Sequence, residues 1–214
     1  MKACFKYCKA PQIADFTYKR FLRFPPERPL SPAMLDVAEW AIDWYQQNGR
    51  PWIAYTPVAL SFNHDGNFSV ENCELLSSRI SRHFEGSEKA VLVLSCAGIE
   101  AEHEAQRKWD EDEADSYYFL DSYSVAVAEA QITELRKQLQ TEEPETTWSP
   151  HRCPGHGDWC ILDNLKLLPI LRKNLELPAE VDSLSSGMLT PKKSLLGLFV
   201  DRPIFGANRG PSVI

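Results

Sequence analysis

Residues 90–96 read Ala-Val-Leu-Val-Leu-Ser-Cys, a nearly unbroken apolar run in the middle of the chain. A strand with one solvent-exposed face alternates apolar and polar residues, whereas a short continuous apolar run is typical of a strand that is buried on both faces. We therefore expect residues 90–96 to form a fully buried strand inside a sheet.

Three regular segments are predicted before the buried strand. Residues 31–48 form a helix, because Ser and Pro at its start are a favourable N-cap and first helical residue and an Asn-Gly pair ends it. Residues 52–60 are predicted to be a strand, and residues 63–66 (Asn-His-Asp-Gly) a turn. Apolar residues at helical spacing predict a second helix over residues 70–84.

The segments after the buried strand are mostly helical and then extended. Residues 99–140 have a helical pattern, with a break expected near residues 110–115 because a helix of about 40 residues is rare in a globular domain. A proline-containing loop is expected over residues 142–159, a helix interrupted by a proline over residues 162–174, and short strands over residues 179–200. Strands and helices do not alternate regularly, which favours the α+β class over a doubly wound sheet.

The chain has 214 residues, enough for one ordinary domain with a substantial core. We expect an irregular N-terminal segment at residues 1–30, whose end is rich in proline, and a folded core at residues 31–200. The Gly-, Pro- and Asn-containing tail, residues 201–214, is expected to be loosely ordered.

Composition argues against several classes of function. The net charge is −7, with no basic stripe of the kind that nucleic-acid-binding proteins carry. The sequence contains no run of about 18 apolar residues, so no membrane-spanning helix is predicted. The N-terminus has no apolar signal segment, so we expect a cytoplasmic protein whose six cysteines are reduced thiols.

The loop His151-Arg-Cys-Pro-Gly-His-Gly-Asp-Trp159 gathers the most chemically versatile side chains of the sequence. Loops that concentrate such side chains are often binding or catalytic sites, and they can also be ordinary surface loops. One alternative is a tetrahedral metal site formed by His151, Cys153, His156 and Cys160. Their spacing is not one of the common zinc patterns, so thiols without a metal are the simpler interpretation.

This loop resembles the Arg-x-x-Pro-Gly-Tyr motif of the activation (reactivation) domain of cobalamin-dependent methionine synthase, particularly of its short stand-alone form. Three further segments resemble the same family in order and spacing. They are Ser95-Cys-Ala-Gly-Ile99, Leu120-Asp-Ser-Tyr-Ser-Val-Ala-Val-Ala-Glu-Ala130 and Ser186-Gly-Met-Leu-Thr-Pro-Lys-Lys-Ser-Leu-Leu-Gly197. The resemblance spans roughly residues 30–200.

The resemblance implies a single curved α+β domain with a twisted antiparallel sheet flanked by helices. It also implies a shallow cleft for S-adenosylmethionine, in which an arginine fork binds the ligand carboxylate and a helix carboxylate contributes to the same cleft. No residue is expected to be catalytic and none to bind a metal. The residues assigned to cofactor binding are Glu129, His151, Arg152, Pro154, Gly155 and His156.

Two positions depart from the motif of the family. His151 stands where the family has its arginine, with Arg152 one residue later, and His156 stands where the family has tyrosine. An arginine that is displaced by one residue could reach the same carboxylate from a loop. A histidine at the tyrosine position could serve as a stacking ring.

The function implied by the resemblance is reductive methylation, which reactivates an oxidised cob(II)alamin or other corrinoid and supports methionine biosynthesis. A single domain of this kind is expected to have no corrinoid-binding module of its own. The expected partners are therefore a corrinoid-binding methyltransferase or methionine synthase core and a flavodoxin-like electron donor. The alternative is a non-catalytic docking or chaperone module for a corrinoid protein, which keeps the fold and has lost S-adenosylmethionine binding.

Overall fold

The computed structural model describes residues 1–202, apart from residues 14, 26, 63–67 and 77–79. Within these residues the chain forms five α-helices and ten strands. The helices are α1 (Asp15–Phe21), α2 (Pro32–Asn48), α3 (Ile99–Asp110), α4 (Ala114–Glu142) and α5 (Asn164–Asn174). The strands are β1 (Cys4–Tyr7), β2 (Trp52–Val58), β3 (Leu60–Phe62), β4 (Phe68–Val70), β5 (Cys73–Glu74), β6 (Ala90–Cys96), β7 (Thr147–Trp148), β8 (Asp182–Ser183), β9 (Leu189–Thr190) and β10 (Ser194–Arg202).

The main sheet has the order β1-β2-β6-β10-β7, and all its neighbouring strands are antiparallel. Strand β6 lies at its centre and pairs along its whole length with β2 on one side and β10 on the other. All seven residues of β6 are buried. The prediction of a buried strand at residues 90–96 is therefore confirmed, together with the α+β class.

Apolar layers cover both faces of the sheet, which explains the unbroken apolar sequence of β6. On one face, Leu92 and Leu94 belong to a core that includes Leu168 of α5. On the other face, Val93 packs in a second core with Leu135 of α4. Side chains alternate in direction along a strand, so each face of β6 needs its own apolar partner.

Helix α4 connects the sheet to a helical layer that it forms with α1, α2 and α3. The hydroxyl of Ser95 on β6 donates to the carbonyl of Ala128 on α4 at 2.9 Å, and Gln131 donates to Ser95 at 3.1 Å. On the opposite side of α4, the Tyr18 hydroxyl donates to the Phe119 carbonyl at 2.9 Å. These buried bonds fix the position of α4 over the sheet.

The predicted helix at residues 31–48 and the break near residues 110–115 are both confirmed. The Ser31 hydroxyl accepts a hydrogen bond from the Met34 backbone N–H at 3.3 Å, as expected of an N-cap. Helix α3 ends at Asp110 and α4 begins at Ala114, with Asp112 in the left-handed region at φ 62°. Helix α5 contains Pro169 in its interior.

The predicted helix at residues 70–84 is wrong. Val70 ends β4, Cys73 begins β5, and the two residues pair directly across a two-residue turn. Glu71 and Asn72 in that turn have φ of 49° and 63°, which is the backbone of a tight hairpin turn with two left-handed residues. A single helical turn follows at Ser81–His83. The apparent helical spacing came from a hairpin followed by a short turn.

Residues 1–30 are more regular than the sequence indicated, since they contain β1 and α1. Strand β1 lacks a clear apolar pattern because it is stabilised by pairing with the edge of β2. The predicted strand at residues 52–60 is divided into β2 and β3. The predicted turn at residues 63–66 and the tail beyond Arg202 lie outside the described residues. No helix in the described part of the chain is long and apolar enough to cross a bilayer.

The central position of β6 predicts a large stability effect when its side chains are shortened. Leu94→Ala should lower the free energy of unfolding by about 2–5 kcal/mol, because it leaves a cavity in a fully buried layer. Leu184→Ala is the matched control, since Leu184 is 50% exposed, and should change it by less than about 0.5 kcal/mol. Urea unfolding measures both. Equal losses in the two variants would contradict this description of the core.

Candidate functional site

A cleft of about 350 Å³ lies between α4, the loop that follows β7, and β10. Its walls combine acidic, basic, aromatic and aliphatic side chains. The residues that line it are Glu129, Ile132, Thr133, Arg136, Pro150, His151, Arg152, Cys153, His156, Gly157, Leu195 and Phe199.

One wall of the cleft is a single face of α4. Glu129, Ile132, Thr133 and Arg136 are spaced at i, i+3, i+4 and i+7, which places them on one side of a helix. The Glu129 carboxylate forms an ion pair with Arg20 of α1 at 3.0 Å, and both side chains remain substantially exposed. An exposed pair of this kind contributes about 0–1 kcal/mol, so the Glu129 carboxylate is available to a competing cation.

The opposite wall is the loop, which is attached to the edge of β10 with a one-residue bulge. Trp148 pairs with Asp201, and Arg152 forms an isolated antiparallel bridge with Leu198. From the first pair to the second, the loop runs four residues along the chain and β10 runs only three, so the loop contains one extra residue. A bulge changes which side chains point to each face of a sheet.

The bulge sets which of the neighbouring residues His151 and Arg152 has its backbone position on the side of α4. Directly opposed residues in an antiparallel pair share a face, so the Cα–Cβ bond of Arg152 leaves the backbone toward the face of Leu198, which belongs to the core that includes α5, while Arg152 still lines the cleft. His151 takes the other face, where its ring lies 5.4 Å from that of Phe199 and packs edge-on against it. The residue that faces the α4 side of the sheet is therefore His151.

Gly197 of β10 allows the loop to approach this closely. A Cβ on Gly197 would overlap the carbonyl oxygen of Arg152 and lie 2.8 Å from Nε2 of His151. His151 keeps some exposure as a residue, but its Nε2 is fully buried without a hydrogen-bond partner among the described residues. Burial and the nearby charge of His156 lower the pKa of His151 to about 3. The imidazole is therefore neutral at physiological pH.

Cys153 and His156, which both line the cleft, contact each other. The Sγ atom of Cys153 lies 3.0 Å from Nδ1 of His156. Burial, and to a smaller extent the charge of Glu129, raises the pKa of the Cys153 thiol to about 11. The thiol is thus protonated near neutral pH and is a poor nucleophile or soft metal ligand.

The tetrahedral metal site weighed from the sequence has no geometric support. Among the described residues, no group of three or more His, Cys, Asp or Glu side chains is arranged to hold a metal ion. Nε2 of His151 lies against Gly197. The protonated thiol of Cys153 contacts His156.

The Pro-Gly turn shapes the loop next to the cleft. Pro154 is buried, while Gly155 is exposed with φ 89°, a conformation that favours glycine. The Gly155 N–H donates to the carbonyl of Trp159 at 2.9 Å and closes the turn. The Trp159 indole then donates to the buried carboxylate of Asp163 at 2.9 Å, which anchors the end of the loop.

The structure brings four of the six predicted site residues into the cleft: Glu129, His151, Arg152 and His156. Pro154 and Gly155 form the adjoining turn and do not line it. Sequence reasoning missed Thr133 and Arg136 on α4, together with Arg20, Leu195 and Phe199. The helical spacing from Glu129 was the available signal for Thr133 and Arg136.

Comparison with known proteins finds similarity among solved structures. No protein-family model matches the chain, and no curated protein matches its sequence. Among solved structures, it is similar to a crystal structure of the MetH reactivation domain bound to AdoHcy, with a TM-score of 0.67 and 9% sequence identity. The match covers 95% of this chain and 79% of that one.

The fold is that of the MetH reactivation domain. This confirms the predicted single antiparallel sheet flanked by helices. At 9% identity the likeness to the MetH reactivation domain establishes the fold alone.

The buried, neutral His151 predicts an acid sensitivity. An unfolded histidine binds a proton near pH 6.5, and the folded one only near pH 3, so the unfolded state carries more protons between these values. Stability should fall as the pH falls through this window, by up to about 1.4 kcal/mol per pH unit.

His151→Gln isolates this contribution, because glutamine does not titrate. Urea unfolding of wild type and variant would be measured at several pH values from about 6.5 to 4. As the pH falls, the unfolding free energy of wild type should decrease more than that of the variant. A difference that stays constant over this range would contradict the burial of a neutral His151.

Proposed function

We propose that the cleft binds S-adenosylmethionine and that the chain supports reductive methylation of a corrinoid held by a methionine synthase-like partner. The observation that carries this proposal is the juxtaposition of the loop at residues 151–157 with Glu129 of α4, across one cleft, in a MetH reactivation fold. Of the structures compared, the MetH reactivation domain is bound to AdoHcy. AdoHcy is the product that remains when S-adenosylmethionine has given up its methyl group.

The size and chemistry of the cleft suit such a ligand. Its volume of about 350 Å³ falls within the range of roughly 300–1,000 Å³ that is usual for small-molecule sites. The Glu129 carboxylate supplies negative charge for a sulfonium cation. The exposed ring of His156 offers a stacking surface, and the backbone beside Pro154 and Gly155 is open to an adenosine. Together with His151 and Arg152 in the same loop, these residues form the proposed binding site.

The chain would act by position rather than by acid–base chemistry. Methyl transfer to a reduced corrinoid needs no general base, because the cobalt is itself the nucleophile. The contribution of this module is to hold the methyl donor in a fixed orientation toward the partner, a proximity effect. A corrinoid-binding methyltransferase or methionine synthase core and a flavodoxin-like electron donor complete the proposed system.

The role of Glu129 can be tested by calorimetric titration with S-adenosylmethionine. Wild type should bind with a Kd in the micromolar range, which corresponds to a binding free energy of about −8 kcal/mol. Glu129→Gln should weaken binding by about tenfold, because it removes a charge-assisted contact to the sulfonium.

The matched control for that titration is Arg20→Gln, which breaks the same ion pair and leaves the carboxylate in place. It should keep or tighten binding, since Arg20 competes with the ligand for Glu129. The absence of measurable heat with wild type at millimolar ligand would contradict S-adenosylmethionine binding. Equal weakening in both variants would show that the ion pair itself matters, and not the contact to the ligand.

A non-catalytic docking module is the second candidate. The observation that favours it is the neutral imidazole of His151 at the position where the resembled family has a charged arginine. In this case the chain would bind a corrinoid protein without a methyl donor.

The two functions differ in a turnover experiment. A methionine synthase core that lacks its own reactivation domain, poised in the cob(II) state, would be mixed with reduced flavodoxin, S-adenosylmethionine and this chain. Reactivation predicts one AdoHcy formed per corrinoid, measured by chromatography, and its loss when the chain is omitted. Formation of a stable complex without AdoHcy would favour the docking module.

A further inference from the structure

We propose that Arg136 of α4 is the residue that binds the carboxylate of the ligand, a role that rests on the proposed binding of S-adenosylmethionine. The resemblance to the family pointed to the loop for this role. The arrangement of charges around the cleft points instead to the opposite wall, where Arg136 is one of its lining residues.

Neither loop residue is well placed to supply the cation. His151 occupies the face toward α4, but its ring is buried against Phe199 and Gly197 and is uncharged. Arg152 carries the charge and also lines the cleft, but its backbone is paired with Leu198, whose side chain belongs to the core on the α5 side of the sheet. Because of the one-residue bulge, the backbone position that faces α4 is occupied by the neutral His151 and not by the charged Arg152.

Arg136 is oriented by the backbone of the edge strand. Its Nε and Nη2 donate to the carbonyl oxygen of Trp148 at 3.1 and 2.8 Å. Trp148 is itself buried and paired with β10. The carbonyl therefore holds one edge of the guanidinium fork in a fixed position, which reduces the side-chain entropy that a ligand contact would otherwise cost.

The rest of the guanidinium remains available to a ligand. Two of its five N–H groups donate to the carbonyl of Trp148. The edge formed by Nη1 and Nη2 still offers two parallel N–H donors. Such an edge matches the two oxygens of a carboxylate. Within the described part of the chain, no Asp or Glu forms an ion pair with Arg136. The cation thus has no internal counter-ion.

The charge pattern along α4 also matches the ligand. Arg136 and Glu129 lie on the same helix face, two turns or about 10 Å apart along the axis. S-adenosylmethionine carries a carboxylate at one end of its methionine part and a sulfonium at the other. A ligand that lies along α4 can direct its carboxylate to Arg136 and its sulfonium toward Glu129.

The test compares two ligands on matched variants by calorimetry. The ligands are S-adenosylmethionine and its decarboxylated analogue, which keeps the sulfonium and the amine but lacks the carboxylate. The variants are Arg136→Gln, Arg152→Gln and the control Lys137→Gln, which makes the same charge change at the next residue of α4, where the side chain is paired with Glu134. Urea unfolding of each variant checks that the fold is retained.

The proposal predicts that Arg136→Gln raises the Kd for S-adenosylmethionine by about tenfold or more and leaves the Kd for the decarboxylated analogue within about twofold of wild type. Lys137→Gln should leave both within about twofold. This selective loss identifies a contact to the carboxylate, which a merely structural role for Arg136 through Trp148 would not produce.

Three outcomes would overturn the inference, and they are distinguishable. Selective loss with Arg152→Gln but not with Arg136→Gln would assign the carboxylate to Arg152 and leave S-adenosylmethionine binding intact. Equal loss for both ligands with Arg136→Gln would make Arg136 a structural residue of the cleft. The absence of binding of either ligand to wild type would remove the proposed function together with the inference.

Discussion

The pairing of β6 with β2 and β10 is the constraint on which the other elements depend. Every residue of β6 is buried, so both faces of the sheet must be covered, one by α5 and the other by α4. The polar contacts of Ser95 with Ala128 and Gln131 then fix α4 at one height over the sheet. Because β10 is the next strand outward from β6, its outer edge is left for the loop that forms the cleft.

The cleft is a product of this arrangement rather than a separate feature. Helix α4 provides one wall because it covers the sheet, and the loop provides the other because it extends the edge of β10 past β7. Gly197 permits the approach of the loop, since any side chain there would collide with its backbone. The bulge between Trp148 and Arg152 then decides which side chains reach the α4 side, and so decides the electrostatics of the site.

The sequence predicted the parts that depend on local pattern. The run at residues 90–96 was sufficient for the central strand, and capping residues were sufficient for α2. The prediction failed at residues 70–84, where the left-handed backbone of Glu71 and Asn72 turns an apparently helical pattern into a hairpin. Strand β1 was missed because a short edge strand is held by its neighbour and not by its own side chains.

Four of the six predicted site residues line one cleft, and their role in binding stays a prediction. The loop and Glu129 could be identified because the motif is contiguous in sequence and Glu129 lies in a recognisable helix segment. The pairing of Arg20 with Glu129 and the position of Phe199 could not, since both depend on tertiary packing of α1 and β10. The effect of the bulge on His151 and Arg152 also depends on pairing with Leu198, which no local pattern encodes.

Hydrogen–deuterium exchange with and without S-adenosylmethionine tests the central claim most directly. Amide exchange reports local opening at each backbone N–H, so a ligand that bridges two walls should slow exchange in both. The account predicts slower exchange in the loop at residues 150–157 and in α4 around residues 129–136, with little change in α2 or α5. Protection confined to another surface, or no protection at saturating ligand, would contradict the assignment of this cleft as the S-adenosylmethionine site.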